Sequence, residues 1–479
     1  MLFNSIDFAI FLPVVFFLYW FVVNRNLKLQ NFFIVIASYL FYGWWDWRFL
    51  FLILLSTVTD YLVGLGLEKY DTNESKRKSL LGISLLVNLG LLGFFKYYNF
   101  FLDNFVSAFS FFGTQIQADS LNIVLPVGIS FYTFQTLSYT IDIYRRNMKP
   151  THDFVTFSAF VSFFPQLVAG PIERASNLLP QFFEDRAFEY GKAVDGLRQI
   201  LWGLFMKVVI ADNCAQIVDQ IYGNSTEETG SALLLATLFF TFQIYGDFAG
   251  YSNIAIGTAR LFGFNLMQNF AFPYFSRDIA EFWRRWHISL STWFRDYLYI
   301  PLGGSRTGTG MGIRNVFIIF IVSGFWHGAN WTFIVWGALN ACYYLPLFLL
   351  GQNRNHMEIV AKESWLPSLD DALKMFATFS MTVLAWVFFR AEHIGHAFSI
   401  LGEIFSSSLF ESPGFGIKTI SVLIIGFMII EWLGRRGEYA IEKLGLNWPR
   451  FIRWVFYIAI VLSIFLLGGQ EQEFIYFQF

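Results

Sequence analysis

The stretch Val316-Phe-Ile-Ile-Phe-Ile-Val-Ser-Gly-Phe-Trp-His-Gly-Ala-Asn-Trp-Thr-Phe-Ile-Val-Trp336 lies inside a run, Asn315 to Asn353, that carries no Asp, Glu, Lys or Arg. A run of that length belongs in lipid, where roughly 20 apolar residues take a helix across the hydrocarbon. It nevertheless holds a lone histidine, His327, within Ser323-Gly-Phe-Trp-His-Gly-Ala-Asn330. An ionisable group at membrane depth is expensive and usually faces a polar cavity where it has work to do. Upstream, a second histidine, His287, sits in Phe282-Trp-Arg-Arg-Trp-His-Ile-Ser-Leu-Ser-Thr-Trp-Phe-Arg295.

The whole chain agrees with a membrane reading. Of 479 residues, 56% are hydrophobic, 21% aromatic and 14% charged, against about 25% charged in a soluble domain. Sixty-one Phe and sixteen Trp exceed what one water-soluble core would hide. The net charge of −2 names no partner, and no basic face suited to nucleic acid stands out. Cys214 and Cys342 have apolar neighbours and read as buried thiols rather than a disulfide framework. The apolar stretch Phe8 to Val23 lacks a basic leader and a cleavage site, so it reads as a retained first span.

Apolar segments of spanning length recur near 7–23, 30–44, 48–67, 79–100, 122–144, 153–172, 197–222, 231–248, 313–350, 373–390, 416–433 and 451–469. The run 313–350 is long enough for two passes, and the whole predicts an all-α polytopic protein with about eleven or twelve spans. Neither the alternation of a β-barrel nor a repeat of 20 to 50 residues is present. Basic clusters around Lys76-Arg77-Lys78, Arg145-Arg146 and Arg435-Arg436 place those loops in the cytoplasm, with both termini extracytoplasmic. Pro165, Gly170 and Pro171 interrupt one apolar run, and 268–312 is aromatic but too charged to span. Broken backbone at membrane depth is tolerated where it lines a cavity. The expectation is a single multi-pass domain over 1–479 with re-entrant pieces around a central funnel. Peripheral helices would occupy 1–112, a catalytic core 113–350 and further helices 351–479.

Read as one continuous helix, 282–298 separates into two stripes. Trp283, Trp286, Leu290, Trp293 and Tyr297 share an aromatic face, and Arg284, His287, Ser291 and Arg295 share a polar one. The arginines also fit an interfacial helix holding lipid headgroups. His327 fits a packing histidine between helices; against this, Gly324, Gly328 and Asn330 break the helix and leave the ring room to meet a substrate. A neutral imidazole there would take a proton from an attacking hydroxyl. Trp326 and Asn330 flank it, and Gln135 and Asp247 interrupt other apolar runs, so each is a candidate substrate-binding group or a structural one. A buried Asp247 needs a named partner. A metal site would want a third or fourth ligand at useful spacing, and none is present, so none is expected. No G-x-S-x-G elbow or P-loop occurs.

Several motifs in order resemble one family. They are Ala37-Ser-Tyr-Leu-Phe-Tyr-Gly-Trp-Trp-Asp46, Phe164-Pro-Gln-Leu-Val-Ala-Gly-Pro-Ile172, Tyr245-Gly-Asp-Phe-Ala-Gly-Tyr-Ser252, Phe282-Trp-Arg-Arg-Trp-His287, Tyr299-Ile-Pro-Leu-Gly-Gly304 and Gly324-Phe-Trp-His-Gly-Ala-Asn-Trp331. Together they resemble the membrane-bound O-acyltransferase superfamily, and most closely its bacterial alginate O-acetyltransferase-like branch.

That resemblance implies a ring of helices around a tunnel, with His327 at the near-invariant histidine and His287 at the second active-site position. It implies an acetyl group moving from a cytoplasmic thioester donor, acetyl-CoA, toward an extracytoplasmic polysaccharide hydroxyl. A separate extracytoplasmic acetyltransferase is an implied partner, and the bacterial cytoplasmic membrane the implied location. Arg284, Arg285 and Arg306 would then hold the donor's phosphates if they line the cytoplasmic mouth. D-alanyl transfer from a carrier protein is the same-fold alternative. A proton-coupled transporter is the alternative of another class, and the paired inverted repeats it would call for are not found.

Overall fold

The computed structural model describes residues 1–113, 120–168, 170–306 and 308–477. Among them every regular element is helical. The chain divides into two compact units, Met1–Val194 with Thr258–Met267, and Asp195–Gly257 with Gln268–Phe479.

Seven helical stretches among the described residues are long and apolar enough to cross a bilayer: Leu27–Lys69, Glu74–Phe111, Tyr190–Gly223, Gly230–Leu261, Thr309–His327, Trp331–Leu349 and Leu369–Arg390. This is fewer than the eleven or twelve expected from hydropathy. Part of the difference is merging. The runs expected at 30–44 and 48–67 form one 43-residue stretch, jointed at Trp47–Phe49, where Asp46 accepts the Arg48 N–H. The rest is shortness, as in the run near 7–23, where the helical stretch Ile6–Val22 falls among the shorter apolar helices. Runs near 122–144, 416–433 and 451–469 become the helices Ile129–Tyr144, Lys418–Gly434 and Arg450–Leu466, of 16, 17 and 17 residues. At 1.5 Å per residue these reach about 24–26 Å, less than the ~30 Å of hydrocarbon. The run at 153–172 breaks at Phe163, between Phe154–Ser162 and Phe164–Leu167. The apolar runs are thus longer than the helices they form, and Arg450–Leu466 keeps most of its apolar side chains exposed.

In the first unit a polar network ties Leu50–Lys69, Glu74–Leu92 and Ile129–Tyr144 together. Asp60 accepts from Ser84 Oγ at 2.5 Å and Asn88 Nδ2 at 2.8 Å, and Thr136 donates to Asn88 Oδ1 at 3.2 Å. All four side chains are buried, and hydrogen bonds of this kind hold helices where lipid offers no alternative partner.

In the second unit, Thr309–His327 and Trp331–Leu349 form a tight hairpin. Two glycines allow it. A Cβ on Gly324 would lie 2.2 Å from the Phe333 carbonyl oxygen, and one on Gly337 would lie 2.3 Å from that of Phe320. Small residues thus bring the two backbones together. Cys214 is buried as expected, but Cys342 on this hairpin is exposed. Apolar sequence neighbours describe a lipid-facing position as well as an interior one.

Gly337→Leu is expected to lower unfolding stability by at least about 1–3 kcal/mol, the usual cost of overpacking. Gly310→Ala, which meets nothing within 4 Å, should be neutral. Unfolding temperature and elution profile of the two variants in detergent would check this.

Candidate active site

The two histidines come from two helix breaks. The 282–298 segment is not one helix, which corrects the two-stripe reading. Ile279–Arg285 ends, Trp286 is extended, His287 takes a left-handed conformation (φ 44°, ψ 54°), and Ile288–Phe294 begins anew. A left-handed non-glycine residue costs about 1–2 kcal/mol, so its surroundings must impose it. Asn269 does so. Its carbonyl accepts the Ile288 N–H at 2.9 Å, and its side-chain oxygen accepts from Ser289 N at 3.3 Å and Ser289 Oγ at 2.8 Å. Its amide donates to Ser252 Oγ at 3.0 Å, and the Ala271 N–H donates to the Arg285 carbonyl on the other side of the break.

His327 is the last residue of Thr309–His327. Gly328 follows in an extended conformation, where a Cβ would fall 2.1 Å from the Phe333 ring. Asn330 then caps the next helix by accepting the Thr332 N–H at 3.0 Å.

These breaks bring the imidazoles to 6.2 Å between ring centroids. Both are buried, 1% exposed for His287 and 2% for His327. Aromatic rings wall them in. Around His327 stand Trp326 at 5.0 Å, Trp336 at 5.3 Å, Phe389 at 5.4 Å and Tyr476 at 5.5 Å. Phe248 meets His287 edge-on at 4.6 Å. Neither ring nitrogen of His287 has a hydrogen-bond partner among the described residues. Burial pushes its pKa well below the ordinary histidine range, so the ring is neutral, with one N–H to give and one lone pair to accept. A reacting group placed against both imidazoles would come within the ~3 Å of each that proton transfer needs.

The structure unites His287, His327 and Trp326, whose ring is 5.9 Å from His287. Other candidates have partners of their own. Arg284 donates to the carbonyls of Asn353 at 2.7 Å and His356 at 2.9 Å, and Arg285 pairs with Glu281 at 2.7 Å. Ser291 Oγ reaches back to the Trp286 carbonyl at 3.4 Å, and Asn330 Nδ2 donates to the Glu392 carbonyl at 2.8 Å. Asp247 has its named partner in Lys207 at 2.9 Å, which also meets Asp212 at 2.8 Å. Gln135 belongs to the first unit, where it donates to the Phe160 carbonyl and accepts from Gln166. Sequence reasoning passed over Asn269, Trp336, Phe389, Lys207 and Tyr476. Lys207, a charge within an apolar run, was the visible signal among them.

Residues 32–361 match the family described as the membrane-bound O-acyltransferase family. A probable alginate O-acetylase of Pseudomonas putida is 38% identical, with both chains covered in full. That of Pseudomonas aeruginosa is 40% identical, covering 92% of this chain and 82% of the relative. A peptidoglycan O-acetyltransferase of Helicobacter pylori is 32% identical over 100% of this chain and 98% of its own. Seven helical stretches among the described residues long and apolar enough to span a bilayer, and this similarity, converge: the chain belongs to the membrane-bound O-acyltransferase family and is an O-acyltransferase.

Proposed function

We propose that the chain moves an acetyl group from a cytoplasmic thioester, acetyl-CoA, toward a hydroxyl of an extracytoplasmic polysaccharide, with His327 as general base. The observation that carries this reading is the pair of buried imidazoles 6.2 Å apart within aromatic walls. The similarity to alginate and peptidoglycan O-acetylating proteins supports the acceptor class. The membrane in question is the bacterial cytoplasmic membrane, with both termini outside. An extracytoplasmic acetyltransferase would complete delivery to the polymer.

A thioester is already activated, so the protein must chiefly position the acceptor, take its proton and stabilise the oxyanion. An acceptor hydroxyl, from which the extracytoplasmic acetyltransferase then passes the acetyl group to the polymer, attacks the thioester carbonyl carbon while His327 accepts its proton. The neutral His287 donates its N–H to the developing oxyanion, and Trp326 flanks the reacting centre. As the tetrahedral intermediate collapses, the carbon–sulfur bond breaks and the proton passes to the departing thiolate. Aromatic walls suit this step because they keep water from hydrolysing the thioester.

Labelled acetyl-CoA supplied to inverted membrane vesicles tests the reading. His327→Ala at matched protein level should lower label transfer by at least about 100-fold, the lower bound for a lost general base. Equal labelling with and without His327 would overturn its catalytic role.

Asn269→Ala should lower transfer by up to about 100-fold with the chain still folded, since a small displacement of a reacting group costs that much. Unchanged transfer would mean that the His287 break holds without Asn269.

Among the described residues no group of three or more His, Cys, Asp or Glu is placed to hold a metal. Chelator treatment should therefore leave the transfer rate unchanged, and its loss, restored by added metal, would overturn a metal-free mechanism.

A further inference from the structure

A lysine in the middle of an apolar helix needs a reason. Lys207 lies in the π-helical turn Phe205–Ala211 and is 1% exposed. Its ammonium meets Asp212 at 2.8 Å and Asp247 at 2.9 Å, and its third direction is spent on the closing segment of the chain, where it donates to the Gln472 carbonyl at 2.9 Å. Asp247 reaches the same segment, its second oxygen accepting the Ile475 N–H at 2.6 Å. One buried cation and one buried carboxylate thus grip two backbone groups three residues apart.

The neighbouring backbone continues the grip. A π-helical turn leaves a carbonyl without its usual partner, and Val208 O accepts the Gly469 N–H at 3.0 Å. Asn213 Nδ2 donates to the Leu467 carbonyl at 2.8 Å. A Cβ on Gly469 would lie 2.7 Å from Asn213 N, so the segment approaches closer than any other residue would allow. Held in this way, Phe474 packs on Tyr251 at 4.3 Å, and Tyr476 packs on Phe248 at 4.5 Å and on the histidines at 5.5 and 6.3 Å.

We propose that Lys207, Asp212 and Asp247 form a latch whose task is to seat residues 467–476 against the histidine pair, which makes Lys207 and Asp247 positioning residues for the transfer. This rests on the reading of that pair as the reacting centre. Fastening helices to one another does not by itself account for the arrangement, because both bonds to the segment, from Lys207 and to Asp247, are made with its backbone. Backbone contacts fix where the segment lies whatever its side chains are. Buried charges suit such a latch: once the segment leaves, they lose hydrogen-bond partners that lipid and protein interior do not replace.

Cysteine accessibility in the full-length chain tests this. In a background with Cys214→Ala and Cys342→Ser, Phe474→Cys is labelled with a maleimide in detergent, and acetyl transfer is measured alongside. Asp247→Ala, Asp247→Asn and Ile475→Pro are compared in that background. The last removes the N–H that Asp247 accepts and leaves every buried charge in place, so it reads the latch even if the charge variants fail to fold. Labelling should rise by about tenfold or more, the signature of local opening, with Asp247→Asn between the parent and Asp247→Ala. In parallel, kcat for transfer should fall while KM for acetyl-CoA holds. A segment that stays protected in folded Asp247→Ala and Ile475→Pro overturns the latch. Labelling that rises with kcat unchanged overturns the positioning role. A parent chain that transfers no acetyl group fails the functional reading instead, and the labelling comparison still decides the latch.

Discussion

The side-chain amide of Asn269 and the carbonyl behind it hold a non-glycine residue, His287, in a left-handed conformation that the backbone resists. That constraint has wide consequences. It ends one short helix and starts another, so that Trp286 and His287 both point inward instead of lying on one helical stripe. Strain of this kind persists only where the surroundings over-determine it, and it is common at reactive centres. Here it places a buried imidazole whose two nitrogens have no hydrogen-bond partner among the described residues.

The same logic governs the rest of the second unit. Lipid and dry protein both refuse unpaired polar groups, so every irregular stretch must be answered by a specific partner. The gap between Thr309–His327 and Trp331–Leu349 is answered by Asn330, which caps the second helix and reaches the Glu392 carbonyl. The π-helical turn at 205–211 is answered by the chain's closing segment. Arg284 and Arg285 are spent on loop carbonyls and on Glu281. Polar residues such as Asn330 and Lys207 are thus a means by which broken helices are tolerated.

Much was legible beforehand because it depends on composition and local order. Long apolar runs without β-barrel alternation announced an all-α membrane protein, since a helix satisfies its backbone groups internally in lipid. His327 was legible because a titratable group stood alone in such a run, beside Gly324, Gly328 and Asn330. His287 was visible as a residue, but the continuous helix drawn through it was not what forms. Its break depends on Asn269, eighteen positions earlier, and helical periodicity contains no trace of that bond. Hydropathy likewise marked where the apolar helices lie without showing which of them join into one stretch, as 30–44 and 48–67 do in Leu27–Lys69.

The sequence by itself determined the solvent, the helical class and the two histidines, all of which follow from which side chains can afford to leave water. Only the tertiary structure decided that the two rings lie 6.2 Å apart, that Trp336, Phe389 and Tyr476 close around them, and that Asp247 belongs with Lys207. These pairings join residues from 9 positions apart, His327 and Trp336, to 149, His327 and Tyr476. Their distances are fixed by which helices pack and where each one breaks, and no local pattern of side chains encodes that.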